Sequence, residues 1–301
     1  KLVPKNTSWD FFSRSKLWIG ISIVLVILSL LSFFIQSLNF GIDFRGGTSI
    51  RTESSEPIDV ADYRSALSSL DLGDITISEV FDPNFADDQN VAMIRIQAQP
   101  GQEAATSTLV ENSLQKLREV SEDIKFVSVE SVGPKVSGEL IKTAIIAVIL
   151  AISAVLFYIW IRFEWQFAIG AISALIHDVI LTIGIFSALQ IKFDLAIIAA
   201  ILTIVGYSLN DTVVVFDRVR ENLRKFKKRS LVEVMNLSIN ETMSRTVMTS
   251  VTTLLALISL FILGGDVIRG FVFAMIWGVV VGTYSSIFIA SAILLWTGVK
   301  R

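Results

Sequence analysis

"GYSLNDTVVVFDRVREN" occupies Gly206 to Asn222. Its first half closes an apolar run long enough to cross a bilayer, yet that run holds Asn210 and Asp211. Its second half turns charged from Asp217 onward. An ionised Asp near a bilayer centre costs about 2.5–3.5 kcal/mol on insertion scales. The stretch therefore reads as the end of a membrane helix that carries a deliberately buried polar group.

The rest of the chain fits that reading. Apolar residues make up 52% and charged residues only 18%, with a mean hydropathy of +0.65. A soluble domain usually carries about 25% charged residues. Six apolar stretches reach the length a spanning helix needs. They are Leu17–Gln36, Glu139–Ile161, Trp165–Leu189, Leu195–Phe216, Thr246–Gly264 and Gly270–Thr297. The first is expected to be a span and not a cleaved signal, because it is long and lacks a small-residue cleavage site.

Charge is divided unevenly. The polar segment 39–137 holds 17 acidic and 8 basic residues, against 11 acidic and 18 basic elsewhere. Basic residues gather before the first span (Lys1, Lys5, Arg14, Lys16), after the fourth (Arg218, Arg220, Arg224, Lys225, Lys227, Lys228, Arg229) and at Lys300 and Arg301. The positive-inside rule makes these places cytoplasmic. Six spans then put both termini inside and the acidic segment outside. Trp9, Phe11, Phe12, Trp18, Trp160 and Trp165 fall near the expected interfaces.

This gives three expected parts: 1–38, the N-terminus and first span; 39–138, an outer domain; 139–301, spans two to six with a basic inner loop at about 218–244. Within the outer domain, "GGTSIRTE" (46–53), "DITISEVF" (74–81), "NVAMIRIQA" (90–98) and "KFVSVESVG" (125–133) read as strands. The turn-rich "DPNFADDQ" (82–89) joins the middle two. "IDVADYRSALSSL" (58–70) and "QEAATSTLVENSLQKLREV" (102–120) have helical spacing. The order β-α-β-β-α-β is the ferredoxin-like pattern. "SLVEVMNLSINETMSR" (230–245) reads either as an interfacial helix or as an extension of the fifth span.

Three polar clusters lie inside the spans. The first is Asn210-Asp211. Asp211 lies six residues, or about 9 Å, deeper than Asp217, and shares an i, i+4 series with Thr203 and Tyr207. The second is Arg245, opening the fifth span on the same side; Thr249 continues its face. The third is His177-Asp178, about 18 Å from Trp165 along the third span. Such residues are rare in membranes and mark ion pathways or glue helices together. Arg245 also fits a snorkelling anchor, and His177 a packing residue. A cation beside a carboxylate favours its charged form and burial disfavours it. Asp211, with Asn210, Arg245, Asp178 and His177, forms the candidate proton-coupling set.

Other classes are excluded or unsupported. There are no cysteines and a single histidine, so disulfides, thiolate metal sites and HExxH are ruled out. "GYSLN" departs from the GxSxG elbow at Asn210, and no P-loop is present. No GxGD-type signature accompanies Asp178 and Asp211. The chain is not expected to be an enzyme, to bind nucleic acid, or to hold a metal or organic cofactor; protons are the expected coupling ion.

"FGIDFRGGTSI" (40–50), "HDV" (177–179), "GYSLNDTVVVFDRVREN" (206–222), "SRTVMTSVTTLL" (244–255) and "GVVVGTYSSIFIAS" (278–291) together resemble the bacterial SecF family. One departure is Ala292, where the family often has Pro, which should alter local helix geometry. The resemblance implies one half of an RND-type transporter in the bacterial inner membrane, six spans with a periplasmic ferredoxin-like domain. It implies pairing with SecD beside SecYEG, with YajC or YidC as further partners. It also implies use of the proton-motive force to draw a preprotein across, with Asp211 as the proton-site carboxylate, Arg245 its neighbour and a SecD carboxylate completing the site. Two rivals share the architecture: half of an RND-like exporter of lipids or hydrophobic small molecules, and a non-transporting assembly factor whose polar groups only glue helices.

Overall fold

The computed structural model describes residues 7–70, 72–82, 85–86, 88–98 and 107–299. In chain order its main elements are α1 (Ser15–Gln36), β1 (Gly47–Ser54), α2 (Val60–Leu67), β2 (Ile75–Val80), β3 (Asn90–Gln97), α3 (Ser107–Arg118), β4 (Lys125–Val132), α4 (Pro134–Arg162), α5 (Trp165–Ala188), α6 (Leu195–Lys225), α7 (Leu231–Leu263), α8 (Asp266–Ser285) and α9 (Ser291–Thr297). A π-helical turn, Ser286–Ala290, joins the last two. Lys1, Lys5, Lys300 and Arg301, the start of the second predicted outer helix (102–106), and Pro83, Asn84 and Asp87 of the predicted turn lie outside the described residues.

Among the described residues six helical segments are long and apolar enough to cross a membrane. They coincide with the six expected stretches, and all but the third run longer. The inner stretch 218–244 is largely helical: α6 continues to Lys225 and α7 begins at Leu231. The segment 230–245 thus extends the fifth span as one helix. A capping box starts it, with Glu233 N–H donating to Ser230 Oγ (3.3 Å) and Ser230 N–H to Glu233 Oε2 (3.1 Å). At the other end of α6, Asp194 accepts from Ile197 N–H at 3.3 Å.

The chain divides into two compact units. The first holds residues up to 39, 147–261 and from 270 onward. Its centre is α5, α6 and α8, whose spanning windows are the most buried. α1, α4 and the outer half of α7 expose large apolar side chains such as Phe34, Ile35, Ile149, Leu150, Leu255 and Leu263. A bilayer accepts that surface where water would not. Close packing of α6 on α8 depends on Gly278 and Gly282. A Cβ at Gly278 would collide with the Ile204 side chain, and one at Gly282 would sit 3.0 Å from Ser208 Cβ. The GxxxG spacing lets the two backbones approach.

Two groups shown earlier as interfacial aromatics are instead packed inward. Phe12 is buried, and Trp18 stacks on Phe288 at 4.8 Å between ring centroids. Trp9, Trp160 and Trp165 are exposed, as a belt requires. The N-terminal segment is clasped by two asparagines one turn apart on α7. Asn240 exchanges two hydrogen bonds with the Trp9 backbone (2.9 and 2.8 Å), and Asn236 accepts from Phe11 N–H at 2.9 Å.

The second unit holds 40–146 and 262–269. Its sheet is fully antiparallel in the order β2-β3-β1-β4. The element order β-α-β-β-α-β follows the alternation read from the sequence. Ile50 pairs with Ile94, and Tyr63 and Leu67 of α2 and Leu117 of α3 pack over them in one apolar core. Arg269 ties this unit to itself by donating to Phe81 O (2.8 Å) and pairing with the buried Asp82 (3.5 Å).

Candidate functional site

The periodicity of α6 decides which of its polar groups turn inward. Ile197, Ile201, Ile204, Ser208, Asp211 and Val215 form one buried stripe at alternating steps of four and three. Asp211 thus belongs to a stripe that also carries Ser208. The i+4 series Thr203, Tyr207, Asp211 does not stay on one face: each step of four overshoots a full turn by about 40°. It winds from exposed Thr203 through half-buried Tyr207 to buried Asp211. Asn210, one position off the stripe, is exposed.

α5 presents Ala171, Ala174, Leu175, Asp178, Leu181 and Thr182 on its own buried stripe. Asp178 is 1% exposed and amply supplied with donors. Ser208 Oγ of α6 donates to Asp178 Oδ2 at 2.6 Å, and Ser285 Oγ of α8 donates to the same oxygen at 2.8 Å. His177 Nδ1 lies 3.0 Å from Oδ1, and the Nδ1–H tautomer makes it a third donor. One carboxylate therefore joins the three central helices. The His177 ring leans on Tyr284 (6.1 Å, 35°), whose hydroxyl meets Ser22 Oγ and Trp18 O, both at 2.8 Å. His177 Nε2 is buried with no hydrogen-bond partner.

Asp211 is different. It is 3% exposed, and its Oδ2 is buried with no hydrogen-bond partner. Tyr207 Oη, one turn earlier on the same helix, and Thr246 Oγ1 on α7 are buried and unpartnered too. Arg245 is near enough for its charge to act on Asp211. No ion pair within 4.0 Å joins them, however, because Arg245 lies one residue off the buried Met243–Thr246–Ser250 stripe of α7 and is exposed.

The five sequence-predicted residues thus fall into two groups. Asp178 and His177 come together, with Ser208 between them and Asp211 one turn along α6. Asn210 and Arg245 lie on exposed faces. Ser285 escaped the sequence reading. Its signal was available: Thr283-Tyr284-Ser285-Ser286 is a run of four hydroxyls inside an apolar span. The π turn follows at once, and such turns recur at functional sites. Ala292 lies just beyond it, so the departure noted above falls beside the one non-α stretch of that span. Among the described residues no group of three His, Cys, Asp or Glu side chains is placed to hold a metal ion.

Comparison with known proteins gives the family. A model described as protein export membrane protein SecD/SecF, C-terminal, matches residues 112–300, and a SecD/SecF GG motif matches residues 31–58. Protein translocase subunit SecF of Cereibacter sphaeroides is 58% identical over 301 residues, covering 100% of this chain and 93% of that protein. SecF of Rhodobacter capsulatus is also 58% identical, over 307 residues, covering 100% and 92%. The crystal structure of SecDF, a translocon-associated membrane protein from Thermus thermophilus, superposes with a TM-score of 0.85 at 33% identity. It covers 99% of this chain, and the chain spans 40% of that longer protein. A second SecDF structure, in a super-membrane-facing form, gives 0.71 at 33% identity, covering 97% of this chain and 39% of that one.

Proposed function

The chain belongs to the SecF family of protein translocase subunits, and on that premise we propose that it couples inward proton passage to preprotein translocation, with Asp211 as the proton acceptor. The observation that carries the reading is the bare Asp211 Oδ2: a buried carboxylate oxygen without a donor is an expensive arrangement unless something binds there in the working cycle. A proton is the smallest such ligand.

In the proposed cycle a proton reaches Asp211 through a polar path between this chain and a SecD partner. Tyr207 and Thr246 hydroxyls lie unpaired close by in sequence or on the facing span, and can donate to or accept from the carboxyl in turn. Neutralising Asp211 releases its attraction to Arg245, the two helices repack, and the outer domains shift. Loss of the proton to the inside restores the pair. Asn210 flanks the acceptor on the partner-facing side. Asp178 and His177 form the second polar level of the same path, held by Ser208 one turn from Asp211. A membrane potential supplies about 2.3 kcal/mol per charge per 100 mV, enough to move a two-state equilibrium more than tenfold.

The same premise supports the wider assignment. We take the β-α-β-β-α-β unit as a ferredoxin-like periplasmic domain, both ends of the chain as cytoplasmic, and the membrane as the bacterial inner membrane. The partners are SecD, then SecYEG, with YajC or YidC alongside. The chain is read as a transport subunit without catalytic chemistry of its own or a cofactor. Asp211→Asn tests the coupling: it keeps the shape and removes the titratable proton. Proton-driven translocation in vesicles should fall at least 100-fold with the melting temperature and SecD copurification unchanged. Retention of proton-driven translocation would overturn the coupling role. Export of a lipid or hydrophobic small molecule in place of a preprotein would overturn the assignment of cargo.

A further inference from the structure

Four helix ends meet on one side of the membrane unit: the end of α4 at Arg162, the start of α5 at Trp165, the end of α6 at Lys225 and the end of α9 at Thr297. Between them lies an open groove of about 540 Å³. Its floor is apolar, made by the buried Phe167, Leu223 and Val299. Its rim carries Arg220, Arg224 and Lys227, with Glu164 as the one carboxylate. A spacing of four sets Arg220 and Arg224 along one side of the α6 terminus, and Lys227 follows in the turn after it.

The rim is built in advance. Arg220 is fixed by a hydrogen bond to Arg162 O (3.3 Å), by the Phe163 ring (5.2 Å) and by Asp217 at 3.9 Å. Arg162 is held on the other face of the same pair by Asp217 (3.3 Å) and Phe163 (5.2 Å). No side chain caps the start of α5, whose N-cap residue Glu164 also lines the groove. Arg224 is exposed. The level in the membrane is marked as well: Trp160, Trp165 and Trp296, each beside one of these helix ends, are all more than half exposed. Tryptophans in that setting sit at headgroup depth.

A fork of cations over an apolar floor, at headgroup depth and beside an uncapped helix start, suits a ligand with a phosphate at one end and a hydrocarbon chain at the other. We infer that this groove binds the headgroup of an anionic phospholipid, its phosphate on Arg220, Arg224 and Lys227 and the top of an acyl chain against the accessible edges of Leu223 and Val299. The site is separate from the proton acceptor and needs no part of the translocation reading.

The experiment uses the full chain in discs holding equal phosphatidylglycerol and phosphatidylcholine, with native mass spectrometry counting lipids kept after transfer to detergent. The unaltered chain should keep phosphatidylglycerol in preference to phosphatidylcholine. Arg224→Gln should weaken retention about fivefold, and Arg224→Gln with Lys227→Gln about 25-fold. Arg14→Gln with Lys16→Gln, which removes the same charge away from the groove, should leave retention unchanged. All substitutions are at exposed positions, and unchanged melting confirms the fold. Equal loss in the control pair would mean unspecific attraction to basic surface and would sink the proposal. So would equal retention of phosphatidylcholine. Full displacement of the lipid by excess inorganic phosphate would make the groove a free-anion site and overturn the lipid assignment.

Discussion

Asp178 and Asp211 are both buried carboxylates in the same helical bundle, and Ser208 on α6 links them: it donates to the first and lies one turn from the second. Asp178 receives two serine hydroxyls and an imidazole from three different positions. Asp211 has an oxygen with no donor, among hydroxyls that also lack partners. The difference separates structure from function by bonding state alone. A carboxylate whose lone pairs are filled by fixed donors acts as a joint. One left bare inside protein is free to take a proton, as the function proposed above requires. Burial and residue type are equal in the two, so neither could have told them apart.

The contrast can be broken most directly at the joint. Asp178→Asn keeps one acceptor oxygen; with that oxygen held by His177 Nδ1–H, the new NH2 faces the two serines, which lose their acceptor. A loss of about 2–3 kcal/mol is expected, read as a lowered melting temperature in detergent, together with weaker proton coupling. If Asp178→Asn melts like the parent chain, Asp178 is not a joint. Ser285→Ala removes one donor only and should cost about 1 kcal/mol, within the range of single hydrogen bonds between membrane helices. Its effect should vanish in the Asp178→Asn background, which a double-mutant cycle would report.

The second unit supplies a solvent-accessible counterpart. Asp123 accepts from Ser121 Oγ (2.5 Å), Ser55 N–H (2.5 Å) and Ser54 Oγ (3.0 Å), and from the Ser55 hydroxyl. These donors, Ser121 first, hold its carboxyl well below the usual carboxylate range. The folded value is lowered, so the contribution to stability is complete above the ordinary carboxylate value near 4 and is lost as pH falls below it. Hydrogen exchange at Ser55 and its neighbours should therefore speed up between neutral pH and about pH 3, after correction for intrinsic rates. In Asp123→Asn that extra acid dependence should disappear. Persistence of the full dependence would show that another group is responsible.

The smallest expected change is at the bare site. Tyr207→Phe deletes a buried hydroxyl that bonds to nothing, so stability should stay within about 0.5 kcal/mol of the parent's, or rise. The pH profile of proton-driven translocation should nevertheless move. A clear fall in melting with no change in the profile would make Tyr207 an ordinary packing group and remove the distinction between the two carboxylates.

Much of the architecture was legible because its causes are local. Apolar runs of spanning length, the period-two strands and the basic clusters each leave a pattern within a short window. The start of α7 was also written locally, in Ser230 and Glu233; spacing alone left 230–245 open between an interfacial helix and an extension of the fifth span, and the helix runs through it. Asp211 and Asp178 stood out by polarity alone. What spacing could not reveal was pairing between distant segments: Ser285 reaching Asp178 across 107 positions, or Asn240 reaching Trp9 across 231. Nor could it reveal that Arg245 lies off the buried stripe by a single residue. That depends on how α7 is rotated, which its neighbours decide.

The π turn at Ser286–Ala290 gives the last span two rotational phases. A π turn holds one more residue than the α-helix would, and each residue advances a helix by about 100°. Ser285, before the turn, meets Asp178, while Ala290, Ala292 and Leu294 still find the interior after it. The surplus residue acts as a phase shifter between the two ends. Length changes in this span are therefore not symmetric in their consequences. Removing one residue inside 286–290 can be absorbed by collapse to a regular helix with both ends keeping their partners, whereas removing one elsewhere in the span swings one end by about 100°. The sequence of that span is in effect counted from both ends, with the remainder kept in the turn.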